Sequence, residues 1–441
     1  MNVYLESLGC ARNQVDSEEM LARLAEAGWL VVAQPEAADA IVVNTCSFIE
    51  SAADESIEAI LALAAFKTAG RCRKLVVTGC LPERYREATA KELPEVDAFL
   101  GTGAFDRIVS ALAGDIPSGH CLLPDPDALP AGPALTRTST APHTAYLKIA
   151  EGCSRSCTYC IIPRLRGRQK SRAREALLAE ARQLAAAGAR ELTLVAQDST
   201  AYGTDLSPSC GLSDLLSDLA AALPDTWIRV LYGHPLSLRD EVLSLVAAQD
   251  NLCPYFDIPI QHSSTAVLKR MGRGHNRQTL VDLFARIRRL VPGAVLRTTV
   301  IVGFPGETEE DFEDLMAFAA AVRFDHLGVF TYSDAEDLPS HRLEEHVPET
   351  VAQERHDRLM ALQRGISETN LERYDGHVLR VLVEEEEEPG LWVGRTMAQA
   401  PEVDGVTYIR SDSEAVAPIG HVVSARIVDT LEYDLIGEPD G

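Results

Sequence analysis

Cys153, Cys157 and Cys160 stand in the run Glu151-Gly-Cys-Ser-Arg-Ser-Cys-Thr-Tyr-Cys-Ile161, a C-x-x-x-C-x-x-C triplet directly after an apolar, strand-like segment. Three thiolates on one short loop can hold metal. A structural zinc closes its shell with four N or S ligands, usually from two separated Cys pairs, and no fourth Cys and no His lies near this triplet. Iron–sulfur clusters are held by Cys thiolates, and three of them on a four-iron cluster leave one iron open to a non-protein ligand. An open iron implies chemistry. Cys10, Cys46 and Cys80 are far apart, yet each ends a strand-like run: Tyr4-Leu-Glu-Ser-Leu-Gly-Cys10, Val42-Val-Asn-Thr-Cys46 and Val76-Val-Thr-Gly-Cys80. In an open parallel sheet such ends share one edge, where ligand sites of these folds sit, so the three form a second candidate metal site. The competing reading is three unrelated half-buried thiols. Cys72 and Cys253 precede their strands and belong at opposite edges, while Cys121 and Cys210 fall in loops.

The elements that must position these residues fall into three segments. At 441 residues the chain exceeds one ordinary core, and a length of about 150 residues per domain suggests two to four. Residues 1–120 alternate short apolar runs (Val3–Leu5, Ala40–Val43, Lys74–Val77) with helical patterns, which predicts a small open parallel α/β domain. Asp16 with Glu19 reads as a capping box for the first helix, and Gly28 as its stop. Five prolines between Leu122 and Pro142 mark 121–142 as a linker. Residues 143–372 repeat strand and helix, with strands expected at Ala145–Ala150, Glu191–Ala196, Ile228–Leu231, Tyr255–Ile258, Leu296–Val302 and Leu327–Thr331. That spacing predicts a complete or partial (β/α) barrel, whose site lies at the C-terminal strand ends. Residues 373–441 change to short strands separated by turns such as Pro389-Gly390, a small antiparallel β-barrel of OB type. Glu384–Glu388 reads as a solvated turn.

Composition narrows the function. Nearly half of the residues are hydrophobic, so each domain can bury a core, and no run approaches the roughly 18 apolar residues of a membrane helix. The N-terminus lacks the pattern of a signal peptide, so a cytoplasmic location is expected, where ten reduced cysteines favour metal binding over disulfides. A net charge of −25 repels nucleic acid and attracts basic partners, although the same acidity also serves solubility.

The central triplet, with Tyr159 before its third Cys, resembles the radical S-adenosylmethionine (SAM) enzymes, in which the open iron chelates SAM. Together with Leu8-Gly-Cys-Ala-Arg-Asn-Gln-Val-Asp-Ser-Glu18, Asn44-Thr-Cys46, Thr78-Gly-Cys80 and a terminal barrel of TRAM type, the whole chain resembles the methylthiotransferases. The resemblance implies two [4Fe-4S] clusters. The one on Cys153, Cys157 and Cys160 would cleave SAM to a radical; the one on Cys10, Cys46 and Cys80 would carry the sulfur, methylated by a second SAM. Within the family the resemblance is nearest to members that methylthiolate an aspartate of ribosomal protein S twelve, through Cys10-Ala-Arg-Asn and Asp257-Ile-Pro-Ile-Gln-His262. The tRNA-modifying members tend to have Cys-Gln-Met-Asn and Pro-Val-Gln-Ser there and are the alternative; a non-enzymatic iron–sulfur or RNA-binding module is a more distant one. Tyr332-Ser-Asp-Ala-Glu-Asp-Leu-Pro-Ser340 departs from the family's Glu-Glu-Gly-Thr-Pro. Fifteen Asp and Glu against five Arg and no Lys from Arg373 onward suit a basic ribosomal protein and disfavour tRNA. A low-potential electron donor is a further expected partner. Expected SAM contacts, at strand ends around the barrel rim, are Gln197, Gln261, Arg297 and Gly303.

Overall fold

The computed structural model describes residues 1–128, 137, 139–208, 210–410 and 419–440. Its first unit is an all-parallel sheet of β1 (Asn2–Ser7), β2 (Leu30–Val31), β3 (Ala40–Thr45), β4 (Lys74–Gly79), β5 (Ala98–Leu100) and β6 (His120–Leu122), in the order β2-β1-β3-β4-β5-β6. β3 is buried along its whole length because helices cover both faces, which explains its unbroken apolar start. The sheet's last strand runs two residues into the stretch expected as linker. The linker is also not free at Arg137, which is buried and bonded to Glu18, Glu180 and the Tyr146 carbonyl.

The middle unit is a six-stranded partial (β/α) barrel. β7 (Thr144–Lys148) leads to a short hairpin of β8 (Ala150–Glu151) and β9 (Lys170–Ser171), followed by β10 (Glu191–Val195), β11 (Trp227–Val230), β12 (Tyr255–Asp257), β13 (Val295–Val302) and β14 (His326–Thr331). Two parallel sheets, β11-β10-β7 and β12-β13-β14, are joined by a bridge between Ile228 and Leu252. Alternate residues face opposite ways, as a strand requires. Leu192, Leu194, Ile228, Phe256 and Leu296 pack against the outer helices in the largest core. Tyr146, Val195, Trp227, Tyr255 and Val295 face inward, where Ala11 and Val15 of the first helix and Leu382 and Ala400 of the last domain meet them.

The C-terminal unit is a closed barrel, β15 (Val378–Glu388), β16 (Leu391–Arg395), β17 (Thr407–Arg410), β18 (Val422–Thr430) and β19 (Leu435–Pro439), in the order β15-β16-β17-β19-β18. Its strands are antiparallel except for the β17–β19 pair. β19 was not expected from the sequence. Glu384–Glu388 is likewise not a turn: it is the end of β15, paired with β16, and the turn is Pro389-Gly390. The barrel is tied to the middle unit by buried charge. Arg395 bonds Glu384 at 2.7 Å and Glu191 at 2.9 Å, while Arg229 bonds Glu191 at 2.6 Å and the Met397 carbonyl at 2.9 Å. No helix of the described residues is long and apolar enough to cross a membrane.

Candidate active site

β1, β3 and β4 are neighbours and parallel, so the residues that follow them emerge on one edge. Cys10 caps the helix Ala11–Glu26, Cys46 follows β3 directly, and Cys80 opens the short helix Cys80–Tyr85. The packing is close enough to require glycine before two of them. Gly9 has φ +94°, and a side chain there would stand 2.7 Å from Cys46 Cβ; Gly79 has φ +97°, and a side chain would meet Asn44 Oδ1 at 2.5 Å and the Thr45 carbonyl at 2.6 Å. Asn13 and Asn44 lock the helix to the strand ends, Asn13 Nδ2 donating to the Thr45 carbonyl at 2.9 Å and Asn44 Nδ2 to the Asn13 carbonyl at 2.8 Å.

The second triplet rides on the loop after β8. Cys153 N–H donates to the Gly167 carbonyl at 3.0 Å, Thr158 N–H to the Met271 carbonyl at 3.0 Å, and Arg273 Nη1 lies 3.6 Å from Cys157 Sγ. Tyr159 stands edge-on to Phe304, which in turn stands edge-on to Tyr332, an aromatic wall beside the loop. The two sites touch across the domain boundary at one corner. Cys80 shares an apolar cluster with Ile161 and Leu165, the residues that follow Cys160, and with Leu338. Leu338 belongs to the stretch 332–340 that departs from the family pattern, and Asp337 of that stretch takes Arg84 with both oxygens, at 2.7 and 3.0 Å.

Between the triplets lies a buried charge network that the sequence reading missed. Arg166 reaches Asp16 at 3.1 Å, Glu151 at 3.0 Å, Asn13, and Cys80 Sγ at 3.8 Å; Lys148 pairs with Asp16 and, at 3.1 Å, with Glu151. Asp16 is therefore not a cap. The helix already begins at Ala11, and Asp16 is an interior residue turned toward the barrel to meet two cations. Burial alone would raise the Glu151 carboxyl, but Arg166 and Lys148 outweigh it and hold Glu151 well below the usual carboxylate range. The signal available in sequence was Lys148 itself, a charge in an otherwise apolar strand.

The same field acts on the thiols. Burial pushes Cys46 up and Cys80 to about 12, and each also feels the negative charge of Cys10. Cys10 goes the other way: burial opposes ionisation, yet Arg12 and Arg166 together bring it below the ordinary thiol value. In the second triplet burial raises Cys153, and Cys160 to about 12, with Cys157 adding to both. Among the described residues no three His, Cys, Asp or Glu converge on the volume of one metal ion. A four-iron cluster spaces its ligating sulfurs more widely than a single ion does, and it takes soft thiolates, of which three would leave one iron open. The residues fit the group.

The four residues expected at SAM separate into two pairs. Gln197 follows β10, donates to Glu151 at 2.7 Å, and has a buried Oε1 without a partner. Gln261, at φ +71°, has its backbone held by Thr299 and Ile301, and its side-chain amide makes no hydrogen bond among the described residues. Arg297 and Gly303 are occupied elsewhere. Arg297 is on the inner face of β13, bonded to Asp257 at 2.9 Å and 3.5 Å from Asp404 of the C-terminal unit, so its charge is already neutralised. Gly303 donates its N–H to Glu307, and a side chain there would meet Ala352 of the helix Glu349–Leu371. Its motif closes a strand-to-helix turn.

Comparisons with known proteins match this layout. Family models for Uncharacterized protein family UPF0004, the Radical SAM superfamily and the TRAM domain match residues 2–101, 147–319 and 376–439. A ribosomal protein uS12 methylthiotransferase RimO from Desulfosudis oleivorans is 54% identical, with 99% of this chain and 100% of the relative aligned. The chain belongs to the RimO methylthiotransferase family. Relatives of the same name from Anaeromyxobacter sp. (strain K) and Clostridioides difficile are 49% and 44% identical, covering 99% of this chain and 92% and 98% of theirs. The fold is also that of a radical SAM methyltransferase, TsrM from Kitasatospora setae, at TM-score 0.58 and 14% identity over 83% of this chain and 89% of the other. This member of the family is thus a radical SAM methylthiotransferase.

Proposed function

We propose that this chain replaces a hydrogen on the β-carbon of an aspartate of ribosomal protein uS12 with a methylthio group, using SAM and two [4Fe-4S] clusters. The observation that carries the reading is 54% identity from end to end with a relative of that name, in a chain where Cys80 packs against Ile161, the residue after Cys160. Clusters and SAM supply the cleavage of an unactivated C–H bond and the transferred sulfur, which side-chain acids and bases cannot provide. Cys153, Cys157 and Cys160 hold one cluster, and Cys10, Cys46 and Cys80 the other. Arg166 and Lys148 fix the first helix to the barrel, and so set one triplet against the other. Gln197 and Gln261 offer polar groups to SAM at the rim. Tyr159 and Phe304 pack edge-on beside the loop. The chain divides into 1–122, 143–372 and 373–441, with 123–142 joining the first two. A low-potential donor supplies electrons, and the reaction takes place in the cytoplasm without membrane contact.

The test is anaerobic reconstitution, with iron and sulfide counts, followed by parallel incubation with uS12 and unmodified tRNA. About eight irons per chain and a methylthio mass increase on the uS12 aspartate are expected. A mass increase on tRNA alone would replace this reading with the tRNA-modifying one.

A further inference from the structure

Arg12 is the second residue of the first helix, two positions after Cys10, and its guanidinium crosses from the N-terminal unit to the barrel rim. Nη1 donates to the Ala196 carbonyl at 2.9 Å, one residue before Gln197, and the guanidinium carbon lies 4.6 Å from the centre of the Tyr232 ring. Ala196 and Tyr232 stand just past the C-terminal ends of β10 and β11. Arg12 therefore stands between the auxiliary triplet and the rim where SAM is proposed.

Its partners set it apart from its neighbours. Arg166 has Glu151 at 3.0 Å, Arg155 has Asp198 at 2.9 Å, Arg297 has Asp257 at 2.9 Å, and Lys148 is paired with Asp16. Among the described residues Arg12 has no carboxylate within 4 Å; it holds one carbonyl and one ring face, and its Nε is sealed from solvent without an acceptor. A half-buried guanidinium with idle N–H donors carries a desolvation cost that an arriving anion removes. Its planar fork matches a carboxylate with two parallel hydrogen bonds.

We infer that Arg12 binds the side-chain carboxylate of the substrate aspartate and so selects an acidic residue over a neutral one of the same shape. The inference rests on the proposed function above. The carbon to be modified is bonded directly to that carboxylate, so an anchor there fixes the reacting carbon between the two triplets, where orientation lowers the barrier. Asparagine would turn an NH2 toward a group that has only donors, and such a mismatch is rejected strongly.

The experiment titrates holoenzyme, both clusters loaded and no reductant present, with uS12 and with uS12 whose target aspartate is changed to asparagine. Wild type should prefer the aspartate form by about tenfold or more, as charge-assisted hydrogen bonds do. Arg12→Met should bind both forms equally, at the wild type's affinity for the asparagine form, with wild-type iron content; Arg12→Lys should keep part of the preference. An undiminished preference in Arg12→Met would overturn the inference. Loss of the auxiliary iron in that variant would also overturn it, because Arg12 would then serve Cys10. Failure of the functional reading is distinct: wild type supplied with SAM and reductant would leave uS12 unmodified.

Discussion

Cys72 and Cys80 lie at opposite ends of β4, and that difference decides what each can do. Cys80 emerges on the edge shared with Cys10 and Cys46, while Cys72 is buried at the far edge with its thiol bonded to the Lys74 carbonyl. Cys153→Ala should remove about half of the iron and all SAM cleavage, and Cys46→Ala should remove the other half and all methylthio transfer. Cys72→Ala should keep the wild-type iron count. Iron and sulfide analysis beside an assay of SAM cleavage reads all three, and a Cys46→Ala protein with full iron would sink the auxiliary assignment. The placement of Cys10, Cys46 and Cys80 on one sheet edge was legible because strand-end position is a local property of the sequence. Arg12 and Arg166 were not, because their partners lie 184 and 150 residues away and no local pattern encodes them.

At the scale of elements, the strands were legible wherever burial on both faces left an apolar run, as in β3 and β4. Short edge strands such as β2, and β19 with its Gly437 and Glu438, have no such signature. The first helix was read with its start misplaced, because Asp16 satisfies a cap pattern locally while the barrel's cations claim it in the fold. Gly79 joins β4 to its helix at φ +97°, where an added methyl would meet backbone at 2.6 Å. Gly79→Ala should destabilise the chain by about 1–3 kcal/mol and lower the iron bound at Cys80, read by thermal unfolding and iron analysis. Wild-type values for both would show that the turn tolerates a side chain.

The contact between barrel and C-terminal unit has its own pH signature. Burial alone would raise Glu191, but Arg229 and Arg395 outweigh it and hold its carboxyl below the ordinary value. A depressed folded-state pKa gives stability that is complete above the unfolded value, about 4.3, and is lost as pH falls through the lower folded value. The domain contact should therefore hold unchanged from about pH 5 upward and fail only in stronger acid. Glu191→Gln leaves two buried guanidinium groups without their shared anion and should cost about 3–5 kcal/mol near neutrality, as loss of one member of a buried pair does. Urea unfolding across pH measures both effects; a variant as stable as wild type at pH 7 would refute the clamp.

Over the whole molecule, charge bears on which partner approaches. The C-terminal unit's cations are largely engaged: Arg373 pairs with Asp325, Arg395 with Glu191 and Glu384, and Arg426 with Asp440. Glu384 is spent on Arg395, but Glu385, Glu387 and Glu388 at the end of β15 are exposed and make no ion pair among the described residues. Such a surface attracts a protein rich in Lys and Arg from a distance and repels polyanions. The attraction is screened over about 8 Å at physiological ionic strength, so raising salt should slow association with uS12. Changing Glu385, Glu387 and Glu388 together to Lys should slow association more than it speeds dissociation, since exposed charges act on the encounter rather than on the docked contact. Stopped-flow binding at several salt concentrations separates the two rates. An association rate indifferent to both salt and charge reversal would mean that the acidic barrel serves solubility and that uS12 is recognised elsewhere on the chain.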